Sequence, residues 1–333
     1  LEVSHPRPGA TRGNEANHCR RERKQLIENR TPAAKPSAFA FAAIVTLGGL
    51  VFGVDLGVIA GTFSYIKELF GLSDLQIGTE GAAPGFGAIF ALVFAGALCD
   101  KLGRKKTIQL IALLYLVSAV TSALAPNYWT LVAARFLGWL AFCSLALASM
   151  YIGEISPAHL RGRLVAINQF NIVLGLTAAY FVNYLIQQAA QSEVGWAVSL
   201  NLQETAWRWM LGSEIPLALV WLLLVSLIPE SPRWLMMVGR EVEAKAAMAR
   251  LMPASEVPGE IASIQESIAK GDGTASLAEQ VRELFTKNAR KAVVLGIVIA
   301  AVQPITGINA INTYAPMIFA QTGAADPLWQ TVW

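Results

Sequence analysis

Two ionisable residues stand almost alone in long apolar runs. Residues 36–66 hold 31 residues with Asp55 as their one charge, and residues 107–153 hold 47 with Arg135 as theirs. A carboxylate or guanidinium in lipid is costly, so each must be paired, neutralised or turned to water. If the first run ends near Tyr65 or Ile66, Asp55 lies roughly 16 Å in from that face at 1.5 Å per residue. Arg135, seven residues after Tyr128, lies roughly 10 Å in from the same face, and a guanidinium side chain spans the difference. Two chemistries fit such a pair: a fixed ion pair joining two helices, or a proton switch in which separation of Arg135 lets Asp55 take up a proton.

Amides form the second set. Gln303-Pro304-Ile305-Thr306-Gly307-Ile308-Asn309 interrupts an apolar run with Pro, Gly and amides, and Gln169 lies between Asn168 and Asn171 in another. Interrupted spans line protein-enclosed cavities, and amides, which both donate and accept, suit a neutral polyol. Hydrogen bonds between helices are the simpler use of Asn168 and Asn171. Trp139 and Tyr314 offer rings to stack on such a ligand or to anchor at the interface. A third set, Asp100, Arg104, Glu154, Arg161, Glu230 and Arg233, falls in the turns on one side. Carboxylate–guanidinium pairs there would latch helix ends in one state, or remain solvated surface pairs.

The elements that carry these residues follow from composition. The 333 residues are 54% hydrophobic and 15% charged, with mean hydropathy +0.47, which excludes disorder and most water-soluble folds. Charge-sparse runs at 36–66, 81–98, 107–153, 164–192, 209–229 and 292–325 are long enough to cross a bilayer, and Pro126-Asn127 divides the third, so seven spans are expected. Lys101, Arg104, Lys105, Lys106, Arg161 and Arg163 lie on one side, whereas the loop around Asn127 has no charge and residues 187–205 hold no Lys or Arg, which places the amino terminus inside. The fold class is all-α membrane protein. Residues 1–37 read as a disordered cytoplasmic tail, 38–230 as a six-helix bundle, 231–290 as an intracellular helical segment, and 291–333 as the first helix of a second bundle, cut short. No cleavable signal peptide is read.

Within 231–290, helices are expected at 240–252, 259–270 and 276–287. Ser156-Pro157 and Ser231-Pro232 each look like an N-cap hydroxyl before a first-turn proline. The net charge of +3 argues for no nucleic-acid partner. Cys19, Cys99 and Cys143 form no disulfide framework, His5, His18 and His159 have no ligand spacing, and neither cofactor nor metal is expected. No nucleophile–base pair is present to suggest an enzyme. A seven-helix retinal receptor would need a lysine in its last helix, and residues 292–325 contain none.

The motifs resemble those of the sugar porters of the major facilitator superfamily. The resemblance rests on Gly48-Gly49-Leu50-Val51-Phe52-Gly53-Val54-Asp55-Leu56-Gly57-Val58-Ile59-Ala60-Gly61, Asp100-Lys101-Leu102-Gly103-Arg104-Lys105 and Arg135-Phe136-Leu137-Gly138. Glu154-Ile155-Ser156-Pro157 with Arg161-Gly162, and Pro229-Glu230-Ser231-Pro232-Arg233-Trp234-Leu235, complete it in order. It implies two six-helix halves moving a monosaccharide by alternating access, of which this chain would carry about seven of twelve helices. It further implies Asp55 as proton acceptor with Arg135 as partner, and Gln169, Gln303 and Asn309 as sugar contacts. A carboxylate at Asp55, where uncoupled facilitators carry an amide, favours symport of a pentose or hexose over uniport. Pro304 and Thr313 depart from the family pattern, in place of a glutamine and a tyrosine. An inactive fragment is the remaining alternative.

Overall fold

Helix follows helix along the chain because the apolar runs leave every backbone amide to be satisfied within its own segment. The computed structural model describes residues 36–156, 158–192, 194–269 and 287–321, and among them every regular element is helical. Residues 1–35 of the expected tail, 276–286 of the expected helix and 322–333 lie outside the described residues, while 36 and 37, read as tail, begin the first helix. In chain order the helices are α1 Pro36–Phe70, α2 Asp74–Leu102, α3 Arg104–Ala123, α4 Tyr128–Leu140, α5 Ser144–Ile155, α6 Ala158–Gln191, α7 Gly195–Ser199, α8 Leu202–Gly212 and α9 Glu214–Val225. Then come α10 Pro232–Met237, α11 Glu241–Leu251, α12 Val257–Ser267, α13 Lys287–Ile305 and α14 Ile308–Gln321. Five stretches among the described residues are long and apolar enough to cross a membrane: 38–70, 104–123, 128–155, 160–191 and 202–225.

Two boundaries differ from the sequence reading. The sixth span was expected at 209–229 but begins at Leu202 and is broken at Ser213, where α8 gives way to α9. Hydropathy placed the start too late because Arg208 and Glu204 dilute α8. Arg208, in the middle of α8, donates to the carbonyls of Ala123 and Ala125 at the end of α3, at 3.0 and 2.8 Å. The run 292–325 is likewise two helices, divided at Thr306-Gly307 with Gly307 at φ +76°.

A row of glycines sets how closely the first and fifth spans approach. Gly49, Gly53, Gly57 and Gly61 recur every fourth residue, on one face of α1. A Cβ at Gly53 would fall on the Ile172 carbonyl, one at Gly57 would lie 2.5 Å from Ala179 Cβ, and one at Gly61 would strike Asn183. Gly175 answers from α6 against the Leu50 carbonyl. Small residues that let backbones meet are the usual means of joining helices in lipid. Asn183 adds a bond to the Gly57 carbonyl at 2.9 Å.

Local caps begin several helices. Ser73 and Gln76 form a reciprocal capping box on α2, Asn127 caps α4 through the Thr130 amide, and Ser231 caps α10 ahead of Pro232 as expected. Ser156 does not cap α6. Its buried hydroxyl makes no hydrogen bond among the described residues, and its carbonyl instead accepts from Arg161 Nε at 3.1 Å.

Candidate functional site

Apolar packing inside the bundle forms two principal clusters, one at the basic end and one at the Asn127 end. α1 passes from the first to the second between Phe52 and Val54, α4 passes from the second at Leu131 towards the first at Ala141, and α9 joins the first at Ala218 after Leu211 of α8 in the second. Asp55, Arg135 and Glu214 occupy these three crossings, at 4%, 1% and 1% exposure. Arg135 Nη1 donates to Asp55 Oδ1 at 2.6 Å and Nη2 to the Asp55 carbonyl at 3.5 Å. The pairing expected from depth alone is therefore present in the geometry.

Glu214 is the residue the sequence reading passed over. Its buried carboxyl lies within electrostatic reach of both Asp55 and Arg135. The site thus brings one guanidinium and two carboxyl groups together, buried from solvent. The signal was available: Glu214 is the one charge in residues 209–229, and an intramembrane carboxylate calls for a partner.

The amides divide. Asn171 Nδ2 donates to the Thr46 carbonyl and hydroxyl at 3.1 and 3.2 Å, and Asn168 is buried with its carbonyl against Gly49, so both join α6 to α1. Gln169, between them, is exposed on α6. Gln303 and Asn309 lie on either side of the break between α13 and α14, with side chains outside the described residues. Tyr314 is engaged rather than open for stacking on a ligand: it stacks on Phe63, ring centroids 5.5 Å apart, and donates to the Ile77 carbonyl at 3.4 Å. Tyr180 donates to the Asn312 carbonyl at 2.6 Å. These contacts hold α14 against α1 and α6.

At the basic end the expected charges gather, but their pairing differs. Arg104 Nε reaches both oxygens of Glu154 at 3.2 and 3.1 Å, and Nη1 reaches Asp100 at 3.4 Å. Glu230 takes no guanidinium there. Its Oε1 accepts the backbone amides of Lys105 and Ser231, each at 2.9 Å, so one carboxylate serves the amino ends of α3 and α10. Gly103, at φ +90°, leaves room for it, since a Cβ there would lie 2.5 Å from Glu230 Oε2. Arg161 holds the Ser156 carbonyl, and Arg233 reaches Ser267 Oγ at 3.4 Å. Neither meets a carboxylate among the described residues. Trp234 Nε1 donates to the Asp100 carbonyl at 2.9 Å, which locks α10 under the α2–α3 turn.

Residues 41–333 match the family model described as "Sugar (and other) transporter". The chain belongs to this sugar transporter family. It is 33% identical over 302 residues to the arabinose-proton symporter of Bacillus subtilis, covering 89% of this chain and 62% of that protein. It is 34% identical over 304 residues to the galactose-proton symporter of Escherichia coli K12, covering 90% and 61%. Among solved structures, the partially occluded inward-open xylose transporter XylE from E. coli matches at TM-score 0.73 and 29% identity, covering 89% of this chain and 69% of that one. XylE bound to 6-bromo-6-deoxy-D-glucose, described as a major facilitator superfamily proton:xylose symporter, matches at 0.75 and 30%, covering 89% and 65%. This family member is a multi-pass membrane protein with the major facilitator fold, and spans about 60% of the length of these curated relatives.

Proposed function

We propose that the protein of which this chain is part moves a monosaccharide, a pentose or hexose, across the cell membrane by alternating access, coupled to protons. The observation that carries the reading is the buried set of Asp55, Arg135 and Glu214, in which two carboxyls share one guanidinium. Such a set changes its proton content when the helices move. Arg135 is the counter-ion of Asp55, and its withdrawal would leave a buried carboxyl group without one, which couples helix movement to proton binding. The relatives' names add arabinose and galactose symport with protons.

In this reading the basic end faces the cytoplasm, which puts the amino terminus inside and Asn127 outside. Residues 38–230 form the first bundle, 231–290 an intracellular segment, and 291–333 the start of a second bundle. Gln169, Gln303 and Asn309 contact the sugar. Asp100, Arg104 and Glu154, with Glu230 at the helix ends, form a cytoplasmic latch that Arg161 and Arg233 extend through a carbonyl and a hydroxyl. No cofactor takes part.

The test uses the full-length protein in proteoliposomes. Asp55→Asn is expected to abolish sugar accumulation driven by a pH gradient while sparing sugar counterflow, which needs no net proton movement. A mutant that still concentrates sugar would falsify proton coupling and leave Asp55–Arg135 as a structural pair.

A further inference from the structure

Serine and threonine hydroxyls inside helices commonly bond back to a carbonyl three or four residues earlier. Thr46, Thr62, Thr107, Thr121, Ser149 and Thr177 all do so. Ser118, Ser122 and Ser144 do not, although they are 1%, 0% and 4% exposed. Ser118 and Ser122 lie one turn apart on α3, and Tyr115 continues the same face one turn towards the basic end. Its hydroxyl is also without a hydrogen bond by geometry, beside Ser144 and within electrostatic reach of Asp55 and Glu214.

The facing helix meets this face at Gly138, where a Cβ would lie 2.6 Å from Ser118 Oγ, so the glycine lets that hydroxyl pack directly against the α4 backbone. Trp139, next to Gly138, buries an indole N–H that finds no acceptor, and Glu214 leaves Oε1 without a donor. Six polar atoms on α3, α4, α5 and α9 therefore make no hydrogen bond among the described residues. In an apolar interior such groups are destabilising unless water joins them. Buried water with two to four polar neighbours is the ordinary remedy.

We propose that this polar stripe is a hydrated passage through the first bundle, carrying protons between the outer surface and the Asp55–Glu214 carboxyls, apart from the sugar route beside α6, α13 and α14. From Ser122, at the outer end of α3, to Tyr115 the stripe runs roughly 10 Å at 1.5 Å per residue. At each link an oxygen accepts one proton and releases another. The proton ends on a carboxylate oxygen of Asp55 or Glu214, and no electrons move. The charged or titratable groups facing the stripe are Asp55, Arg135, Glu214 and Tyr115, with Cys143 beside Tyr115 and Arg208 over the outer end of α3. This proposal rests on the symport reading for its proton traffic, but not for its water.

The experiment is therefore two-part, on the full-length protein. Radiolytic labelling in ¹⁸O water should oxidise Tyr115 and Trp139, despite 1% and 4% exposure, because trapped water yields radicals in place. Tyr151 is 0% exposed, bonds the Pro229 carbonyl at 2.7 Å, and should stay unlabelled. If Tyr115 and Trp139 are as inert as Tyr151, the stripe is dry and the passage is refuted. In proteoliposomes, S118A/S122A should slow sugar-driven proton uptake while keeping counterflow, which also reports a folded protein. Unchanged proton uptake would overturn the carrying role. Asp55→Asn measured alongside separates the two ideas: if that variant still accumulates sugar, symport itself fails, whatever the labelling shows.

Discussion

Arg135 faces two carboxyls, so the effect of removing either one depends on whether the other remains. In Asp55→Asn, Glu214 stays beside the guanidinium as its counter-ion; in Glu214→Gln, the 2.6 Å pair with Asp55 is intact. Asp55→Asn loses a charged hydrogen-bond partner of Arg135 and is expected to cost about 1.5–3 kcal/mol, and Glu214→Gln, which removes a nearby charge, no more than that. The double variant leaves a guanidinium, with only 2% of its side chain exposed, and no anion beside it. Breaking a buried ion pair from one side costs about 3–5 kcal/mol, and here that penalty arises only when both acids are gone. Because that penalty comes on top of the losses in the singles, the double variant should be destabilised by about 3 kcal/mol or more beyond their sum. Adding Arg135→Met should restore most of the loss, since an apolar replacement of a buried ionic group is often neutral. Equilibrium unfolding in mixed micelles of the five proteins, wild type included, measures the cycle. If the double variant equals the sum of the singles to within about 0.5 kcal/mol, the two acids do not share Arg135 and the site is a simple pair.

Two further outcomes test the packing. Gly53→Val places a side chain on the Ile172 carbonyl, forcing α1 from α6, and should abolish recovery of monodisperse protein in detergent; Gly78→Ala, where a Cβ meets nothing within 4 Å, should be recovered normally. Equal yields would mean that the glycine row does not set the approach of these helices. At the basic end, Glu154, with 10% side-chain exposure, holds Arg104 more closely than Asp100 does at 68%. Glu154→Gln should lower stability by about 1.5–3 kcal/mol and Asp100→Asn by less than about 1, read as shifts in thermal midpoint, and equal shifts would contradict the geometry.

Asp55 and Arg135 were legible in the sequence because a charge in a long apolar run must find a partner, and residue counting gives depth to within one side chain. The same rule applies to Glu214, the single charge of 209–229, but which groups it meets depends on how α9 packs against α1 and α4. At the basic end the sequence suggests carboxylate–guanidinium pairs, which form between Arg104 and Glu154 and Asp100 but not at Glu230, Arg161 or Arg233 among the described residues. Glu230 took backbone amides and Arg233 a serine, because Gly103 and the α10 cap bring helix ends, rather than guanidinium groups, to the carboxylate.

What the sequence alone determined is local in origin. Apolar runs dictate helices in a bilayer, the four-residue spacing of Gly49, Gly53, Gly57 and Gly61 gives α1 a face smooth enough for another backbone, and the one-sided Lys and Arg give an expected orientation. What only the tertiary structure decided is non-local: that α6 lies on that glycine face, that α9 brings a second acid to Arg135, and that Ser118 meets Gly138 with its hydroxyl unclaimed. Hydrophobicity and spacing are properties of one segment, whereas the partner of a buried polar atom depends on rotations and depths that several helices settle together as they pack.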